Sequence, residues 1–342
     1  MIELEKIWQQ FQPELEVELK RHVLRTPLPL YEMMCYHMGW IDERGNPQEN
    51  AKGKRLRPIL CLLACQLLGG VWRQALPGAA AIELLHNFSL IHDDIQDSSI
   101  ERRGRPTVWH IWGMPQAITV GDGMYALAQS SLLRLEETKT PPQKVVRAAG
   151  FLNEACLKLC EGQYRDISYE NSLDITTDDY LSMISGKTAA LFRCSLEIGA
   201  LIATDDSSTI EHLGNFGHDL GMTFQIQDDI LGIWGDENTT GKSSASDIQM
   251  RKKTLPVIYA LQNTGVANRK RLRHIYEQET IDDADVTDVL QGLNELDAKS
   301  YAQDMSKKYH QQALSELASL ELSSEATNQL EAIATRLLNR EY

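Results

Sequence analysis

Several absences narrow the field before any motif is read. No uninterrupted apolar run approaches the roughly 20 residues of a membrane span. No charged-then-apolar leader opens the chain either, because MIELEKIWQQFQPELEVELK is acidic and amphipathic. Cations are in deficit: 34 Lys and Arg stand against 48 Asp and Glu, for a net charge of −14. That balance argues against broad electrostatic binding to nucleic acid or to an anionic bilayer, so any polyanionic ligand must be met locally. A cytoplasmic protein is expected, with no nucleic acid partner and no membrane insertion. Cysteine is sparse and lacks CxxC spacing. Cys61 with Cys65, and Cys156 with Cys160, each lie one helical turn apart in apolar sequence and read as small core hydrophobes, not as metal ligands or a disulfide framework. No low-complexity tract and no fixed-period repeat is found.

What is present is helical periodicity, with almost no alternating β-branched runs. The 342 residues are 42% hydrophobic, enough for a large core, and no composition break marks a linker. An all-α chain is expected, as one domain over residues 1–342. Pro27 and Pro29 break an opening helix, and 42–53 is a polar loop. Helices then run from Leu56 to Leu68, Pro77 to about Asp97, Pro115 to Leu135, and from the TKTPPQK turn to about Tyr169. Asp178 can cap a helix to Ile202 that Gly186 interrupts, where backbone must approach a ligand or a neighbour. Another helix spans Ser208 to Trp234, residues 235–247 form the most mobile loop, and the C-terminal third is helical.

Residues 92–104, HDDIQDSSIERRG, carry the strongest chemical signal. On a helix, Asp93 and Asp97 share one face and repel each other unless a cation binds. Hard oxygen donors suit Mg²⁺, which takes one or two protein carboxylates and leaves positions for water and substrate phosphates. Asp94 completes the cluster, and Arg102 and Arg103 add planar forks for phosphate oxygens. Metal and arginine together point to a diphosphate substrate. At 100° per residue, His86, Ser89 and Leu90 share the face of Asp93 and Asp97. His86 as a satisfied core histidine and the aspartates as a solvated helix end are the bland readings. The apolar setting HNFSLIHDD favours function, because buried carboxylates need partners.

A second acidic cluster, FQIQDDILGIWGDE (224–237), sets Asp228 and Asp229 late in an apolar helix with Gln225 close by. Two such helix ends can face each other across a cavity and clamp a diphosphate through metal ions. Cations are spread along the chain to meet it. Lys54, Arg55 and Arg57 lie in GKRLRP at a helix start, where free N–H groups also favour anions. Lys187 and Thr188 lie in SGKTAA, Lys242 in TGK, and Lys252 and Lys253 in RKKT. None forms a Walker loop.

In order, GKRLRP, HNFSLIHDDIQD, RRGRPT, GD, EGQ, GKTAALF, FQIQDDIL, TGK, SD and KKTLP resemble the trans-isoprenyl diphosphate synthases, the polyprenyl synthetase family, from about Gly53 to Leu261. The resemblance implies a single all-α domain of about ten core helices around a deep cavity. Around the motifs (53–261) this leaves a helical N-terminal extension (1–50) and a helical C-terminal part (262–342). It implies a homodimer and three Mg²⁺ ions. It makes Asp93 and Asp97 the main metal ligands of the first aspartate motif and Asp228 the leading ligand of the second. Lys54, Arg57, His86 and Arg103 match the isopentenyl diphosphate site, while Arg102, Lys187 and Lys242 match contacts to the allylic diphosphate; Lys252 matches a further family lysine near that group, with Lys253 as the alternative one residue on. Thr188 and Gln225 match positions beside the forming carbocation, and Asp94 and Asp229 fall within the catalytic motifs.

The implied reaction is a head-to-tail condensation: the allylic C–O bond ionises, isopentenyl diphosphate attacks, and the departing diphosphate accepts the proton. The protein contributes leaving-group stabilisation, orientation and exclusion of water. One departure stands out. Gly232 occupies the place of the usual third aspartate of the second motif, with Asp236 one turn further on. Phe88 and Ser89, five and four residues before Asp93, match the gate of the hydrocarbon tunnel. A ring beside a small residue favours a geranylgeranyl product over farnesyl or longer chains. Three rivals fit less well. A terpene cyclase needs neither the second aspartate cluster nor GKRLRP. In a phosphohydrolase His92 would pair with Asp93, yet helical phase turns it about 100° away. A noncatalytic subunit would have lost the aspartates.

Overall fold

A computed structural model describes residues 4–48, 53–170, 172–235 and 245–339. It is all-α as expected: among the described residues the only strands are Glu101–Arg102 (β1) and Arg105–Pro106 (β2), besides one isolated bridge between Ile41 and Pro47. No helix among the described residues is long and apolar enough to cross a membrane. Residues cluster in two compact units. One comprises Met1–Glu154, Cys194–Leu213 and Ser323–Gln329; the other comprises Ala155–Arg193, Gly214–Leu322 and Leu330–Tyr342.

In the first unit, α1 (Leu4–Val23) ends before the proline pair, and α2 (Pro29–His37) starts on Pro29, whose fixed φ suits a first turn. One stripe of α1, Ile7, Phe11, Leu15, Leu19 and Val23, is almost wholly buried. Its four-residue spacing is that of a single helix face, each side chain contributing about 1.5–3 kcal/mol of burial. Next come α3 (Leu56–Leu67) and α4 (Leu76–Gln96), both largely buried, then α5 (Val108–Trp112) and α6 (Met114–Leu133). A Cβ built on Gly121 of α6 would fall inside the ring of His92 on α4, so glycine admits that ring. His92 therefore packs on α6, with Nε2 3.2 Å from the Ile118 carbonyl.

The second unit holds the later part of α7 (Pro142–Tyr169), α8 (Thr177–Ile184) and most of α10 (Ser207–Trp234). The cap of α8 is Thr176, not Asp178: the Thr176 hydroxyl accepts from the Asp179 N–H, and the Asp179 carboxylate accepts in return from the Thr176 N–H. A π turn, Ser185–Ala189, separates α8 from α9 (Ala190–Ala203). This is where Gly186 meets a neighbour. Its Cβ would lie 2.6 Å from the Lys158 carbonyl oxygen, and a Cβ on Gly162 of α7 would overlap the Lys187 backbone nitrogen. Met183, Met222, Ile226, Ile230 and Ile258 form the apolar cluster beneath.

All six cysteines are free. Cys61, Cys65 and Cys156 are buried as core residues, whereas Cys160 is exposed, because the stripe of α7 that carries it faces outward. Asp236 and Lys242 lie outside the described residues.

Candidate active site

The first cluster grows from the ends of α3 and α4. Arg55, just before α3, adopts φ 51°, which turns its side chain inward. Its Nε reaches Glu16 Oε1 at 2.9 Å and its Nη1 reaches Glu83 Oε1 at 2.8 Å, all three residues being buried. Of the three basic residues in GKRLRP, this one belongs to the core. Lys54 is exposed, and its carbonyl accepts from the Trp8 indole. Arg57 Nη1 lies 3.2 Å from His86 Nε2. Burial, then the charges of Arg57, Arg103 and Arg102, hold His86 well below its ordinary pKa. A neutral imidazole therefore accepts from Arg57 and adds no cation. Ser89, on the same face of α4, donates its hydroxyl to the His86 carbonyl at 2.7 Å.

At the C-terminal end of α4, Asp93 is half-buried, Asp94 is buried and Asp97 is exposed at the cap. Carboxylates there oppose the negative end of the helix dipole, which an arriving cation would relieve. The chain beyond makes a hairpin not anticipated from periodicity. Arg102 pairs with Arg105, leaving a two-residue turn, Arg103–Gly104, with φ 55° and 68°. Positive φ at both positions marks a type I′ turn, matched to strand twist. Arg102 points back: its Nε donates to Asp94 Oδ1 at 2.7 Å and its Nη2 lies 3.5 Å from Asp93 Oδ2. The Arg103 guanidinium lies over Gly53, where a Cβ would come within 2.9 Å of both terminal nitrogens. Arg105 anchors the hairpin, donating to the Tyr36 and Ile41 carbonyls.

Burial is the main cause raising the Asp94 pKa to about 6, with Asp93 and Asp97 adding to it against Arg102. Asp94 thus serves the arginine, and Asp93 and Asp97 remain one turn apart as hard oxygen donors. Among the described residues no three acidic, histidine or cysteine side chains form a ready-made metal cage. Magnesium does not require one, since one or two carboxylates with water and phosphate suffice. The donor set fits that ion.

His37, a residue that sequence reasoning missed, lines a cleft with Asp94, Arg102, Arg103 and Arg105. Its Nε2 is buried with no hydrogen-bond partner among the described residues. Burial and the surrounding arginines keep it neutral. A lone histidine in CYHMGW gives no sign of this, because its partners come from the distant hairpin.

In the second unit, Thr188 donates to Gln225 Oε1 at 2.9 Å, and Gln225 Nε2 donates to Asp229 Oδ1 at 3.2 Å. Asp229 is enclosed. It accepts from Tyr180 at 2.5 Å and from the Leu255 N–H at 3.2 Å, and burial raises its pKa to about 7. It ties α8, α10 and the helix from Leu255 together and fixes the Gln225 amide. Asp228, its neighbour in sequence, projects from another face of α10 and is half-buried. Lys187, carried by the π turn, donates to Asp166 Oδ2 at 2.5 Å. Lys252 is exposed, with Nζ 3.8 Å from Asp247 Oδ1, whereas Lys253 turns to the Tyr169 carbonyl. Tyr180 and Asp166 bear on Asp229 and Lys187 across 49 and 21 residues of sequence, which spacing alone does not reveal.

In the first unit, Phe88 on α4 is edge-on to His92 at 4.9 Å and tilted against Tyr125 of α6 at 5.5 Å. Phe88→Ala is expected to lengthen the dominant product by one isoprene unit, read by chromatography of the dephosphorylated alcohols. An unchanged length would remove the gate assignment.

Known proteins share both the sequence and the fold. A geranylgeranyl diphosphate synthase of Mycobacterium tuberculosis is 45% identical over 239 residues, 70% of this chain and 67% of the relative. A (2E,6E)-farnesyl diphosphate synthase of the same species is 36% identical over 312 residues, 90% of this chain and 86% of that one. The crystal structure of a geranylgeranyl pyrophosphate synthetase from Pyrococcus horikoshii superimposes with a TM-score of 0.89 at 34% identity, covering 99% of this chain and 98% of the other. The family model described as polyprenyl synthetase matches residues 40–293, and the chain belongs to that family.

Proposed function

We propose that this trans-prenyltransferase condenses isopentenyl diphosphate with an allylic diphosphate and delivers geranylgeranyl diphosphate. The observation that carries the reading is the first cluster: Asp93 and Asp97 one turn apart at a helix end, beside a hairpin that presents Arg102 and Arg103. Asp93 and Asp97, and separately Asp228, would hold magnesium, which would supply charge neutralisation for a leaving diphosphate; three ions are proposed. The chain's own residues do the rest. Arg57, Arg103 and Lys54 hold the attacking diphosphate, with neutral His86 orienting Arg57. Arg102, Lys187, Lys242 and Lys252 meet the ionising one. The Thr188 hydroxyl and the Gln225 amide oxygen place partial negative charge beside the developing cation, their orientation set through buried Asp229.

The family match runs through both compact units, which supports one functional domain over 1–342. A homodimer is proposed on α7, where Val146, Leu157, Tyr164 and Ile167 are 73%, 55%, 74% and 38% exposed. With Asn153 they follow the 7- and 11-residue spacing of one helix face.

Purified protein incubated with Mg²⁺, isopentenyl diphosphate and each of the C5, C10 and C15 allylic diphosphates is expected to yield C20 diphosphate as the end product. A C15 end product would favour the farnesyl alternative, and no elongation with any primer would refute the synthase reading.

The neutral histidines also predict a pH effect. His86 stays unprotonated in the fold, so the unfolded chain alone gains a proton below its ordinary value near 6.5. Its contribution is present above that pH and lost as pH falls. Wild-type stability, read as the urea midpoint, should drop more steeply from pH 7.5 to 5.5 than that of His86→Gln. Comparing the pair isolates His86 from Asp94 and Asp229, whose raised pKa values act in the opposite sense. Parallel curves would exclude a buried neutral His86.

A further inference from the structure

The end of α2 is clamped onto the hairpin after α4. Arg105 donates to the Tyr36 carbonyl at 3.1 Å and to the Ile41 carbonyl at 2.8 Å, and its guanidinium lies 4.0 Å from the Tyr36 ring centroid. Tyr36 in turn donates its hydroxyl to the Pro106 carbonyl at 2.7 Å. Arg55 Nη2 donates to the Met38 carbonyl at 3.1 Å. Carbonyls at the end of α2 therefore face guanidinium groups, which offset the negative pole of that helix. His37 sits between these anchors, so its position is fixed by its neighbours and not by its own side chain. That side chain lines the cleft with Arg102 and Arg103, and its Nε2 is buried without a hydrogen-bond partner among the described residues.

A buried polar atom without a partner is uncommon in a native fold. The arginines around this one are donors only, so none can accept from it. Arg102 is engaged by Asp94 and Asp93, and Arg105 by the two carbonyls. The Arg103 side chain makes no hydrogen bond or ion pair among the described residues, and it reaches over Gly53, the neighbour of Lys54. An anion in this cleft could accept from Arg103 and His37 together. Burial and the surrounding arginines keep His37 neutral, so it offers a hydrogen bond without adding to their charge. It also lies close enough to His86 to be among the causes that keep that ring neutral, which joins it to the Arg57–His86 pair.

We propose that His37 is a further contact to the diphosphate of the attacking substrate, its Nε2–H donating to a phosphate oxygen that Arg103 also holds. The proposal deepens the synthase reading above and rests on it: Arg57, His86 and Arg103 form the side of the attacking diphosphate, whereas Arg102 is turned toward the aspartates. The guanidinium supplies charge and the imidazole supplies direction, so the effect of His37 falls on affinity for that one substrate.

The test compares wild type, His37→Leu and His37→Gln. It uses steady-state kinetics with each substrate varied, calorimetric binding of isopentenyl diphosphate and of inorganic phosphate, and melting temperatures without ligand. His37→Leu removes a buried polar atom that lacks a partner, so it should melt no lower than wild type. It should bind isopentenyl diphosphate about tenfold more weakly, the worth of one hydrogen bond to a charged group. The KM for that substrate should rise in step, with kcat and the allylic KM within about twofold of wild type. His37→Gln, which keeps an N–H donor, should stay within about threefold. Wild-type affinity in His37→Leu, an equal loss in both variants, or a rise confined to the allylic KM would overturn the contact. So would a loss of inorganic phosphate binding with isopentenyl diphosphate unaffected, which would make the cleft a site for free phosphate. A lowered melting temperature of His37→Leu with equal losses for both substrates would make His37 a packing residue. Wild-type protein that binds no isopentenyl diphosphate would refute the synthase reading itself, a distinct result because the variants would then have no affinity to lose.

Discussion

Asp93→Asn is expected to lower the rate of product formation by about 10³-fold with little change in folding. Metal stabilisation of a leaving group is worth several kcal/mol, and each 1.36 kcal/mol is tenfold in rate. The loss should fall on kcat at saturating isopentenyl diphosphate, because Arg57 and Arg103 remain to bind that substrate. Asp94→Asn is the informative companion. Asp94 is buried and accepts from Arg102 Nε at 2.7 Å, so its removal should loosen the arginine and raise the KM for the allylic substrate more than it lowers kcat. Steady-state kinetics with radiolabelled isopentenyl diphosphate separates the two. Equal effects on both parameters from both variants would remove the division of labour within the cluster.

The second large effect is on stability. Arg55→Met should cost about 3–5 kcal/mol, the range for breaking a buried ion pair from one side. It strands Glu16 and Glu83 together in the core. Replacing those carboxylates as well would not restore the fold. Glu16 accepts from the Trp40 indole at 2.6 Å, and Glu83 accepts from Asn87 at 2.9 Å, so the indole would lose its partner and the Asn87 amide would keep only the Glu83 carbonyl. Urea denaturation of wild type, Arg55→Met and Arg57→Met reads the difference. Arg57→Met should unfold close to wild type and lose isopentenyl diphosphate affinity, whereas Arg55→Met should show the reverse. Matching denaturation curves for all three would contradict the assignment of Arg55 to the core.

These two arginines mark the boundary of what was legible in the chain. GKRLRP reads as an anion site, but periodicity does not say which of its three cations turns inward, and in the fold it is Arg55, at positive φ. The helices themselves were legible because their apolar faces repeat: α3, α4, α6 and α10 begin and end within one or two residues of expectation, whereas α7 starts at Pro142, inside the expected turn, because proline suits a first helical turn. The acidic clusters were legible because carboxylates embedded in apolar helix demand an explanation. The cap of α8 was misassigned, since Asp178 and Asp179 are equally acidic and only the geometry shows the reciprocal bond to Thr176. The hairpin after α4 was missed because two residues per strand are too few to alternate. His37 was invisible as a contributor, being defined by arginines brought from elsewhere in the chain.

The π turn at Ser185–Ala189 sets local regularity against chemistry. Such a turn carries one residue more than the α spiral around it, and deleting that residue would heal the helix. Everything on one side of the repair would then rotate by about 100° relative to the other. Lys187 would swing off Asp166, and Thr188 would lose Gln225. A shorter, smoother α8–α9 segment is one codon loss away, but besides these two side chains it would turn the buried faces of α8 and α9 out of phase and disturb the close approach of Gly186 to α7.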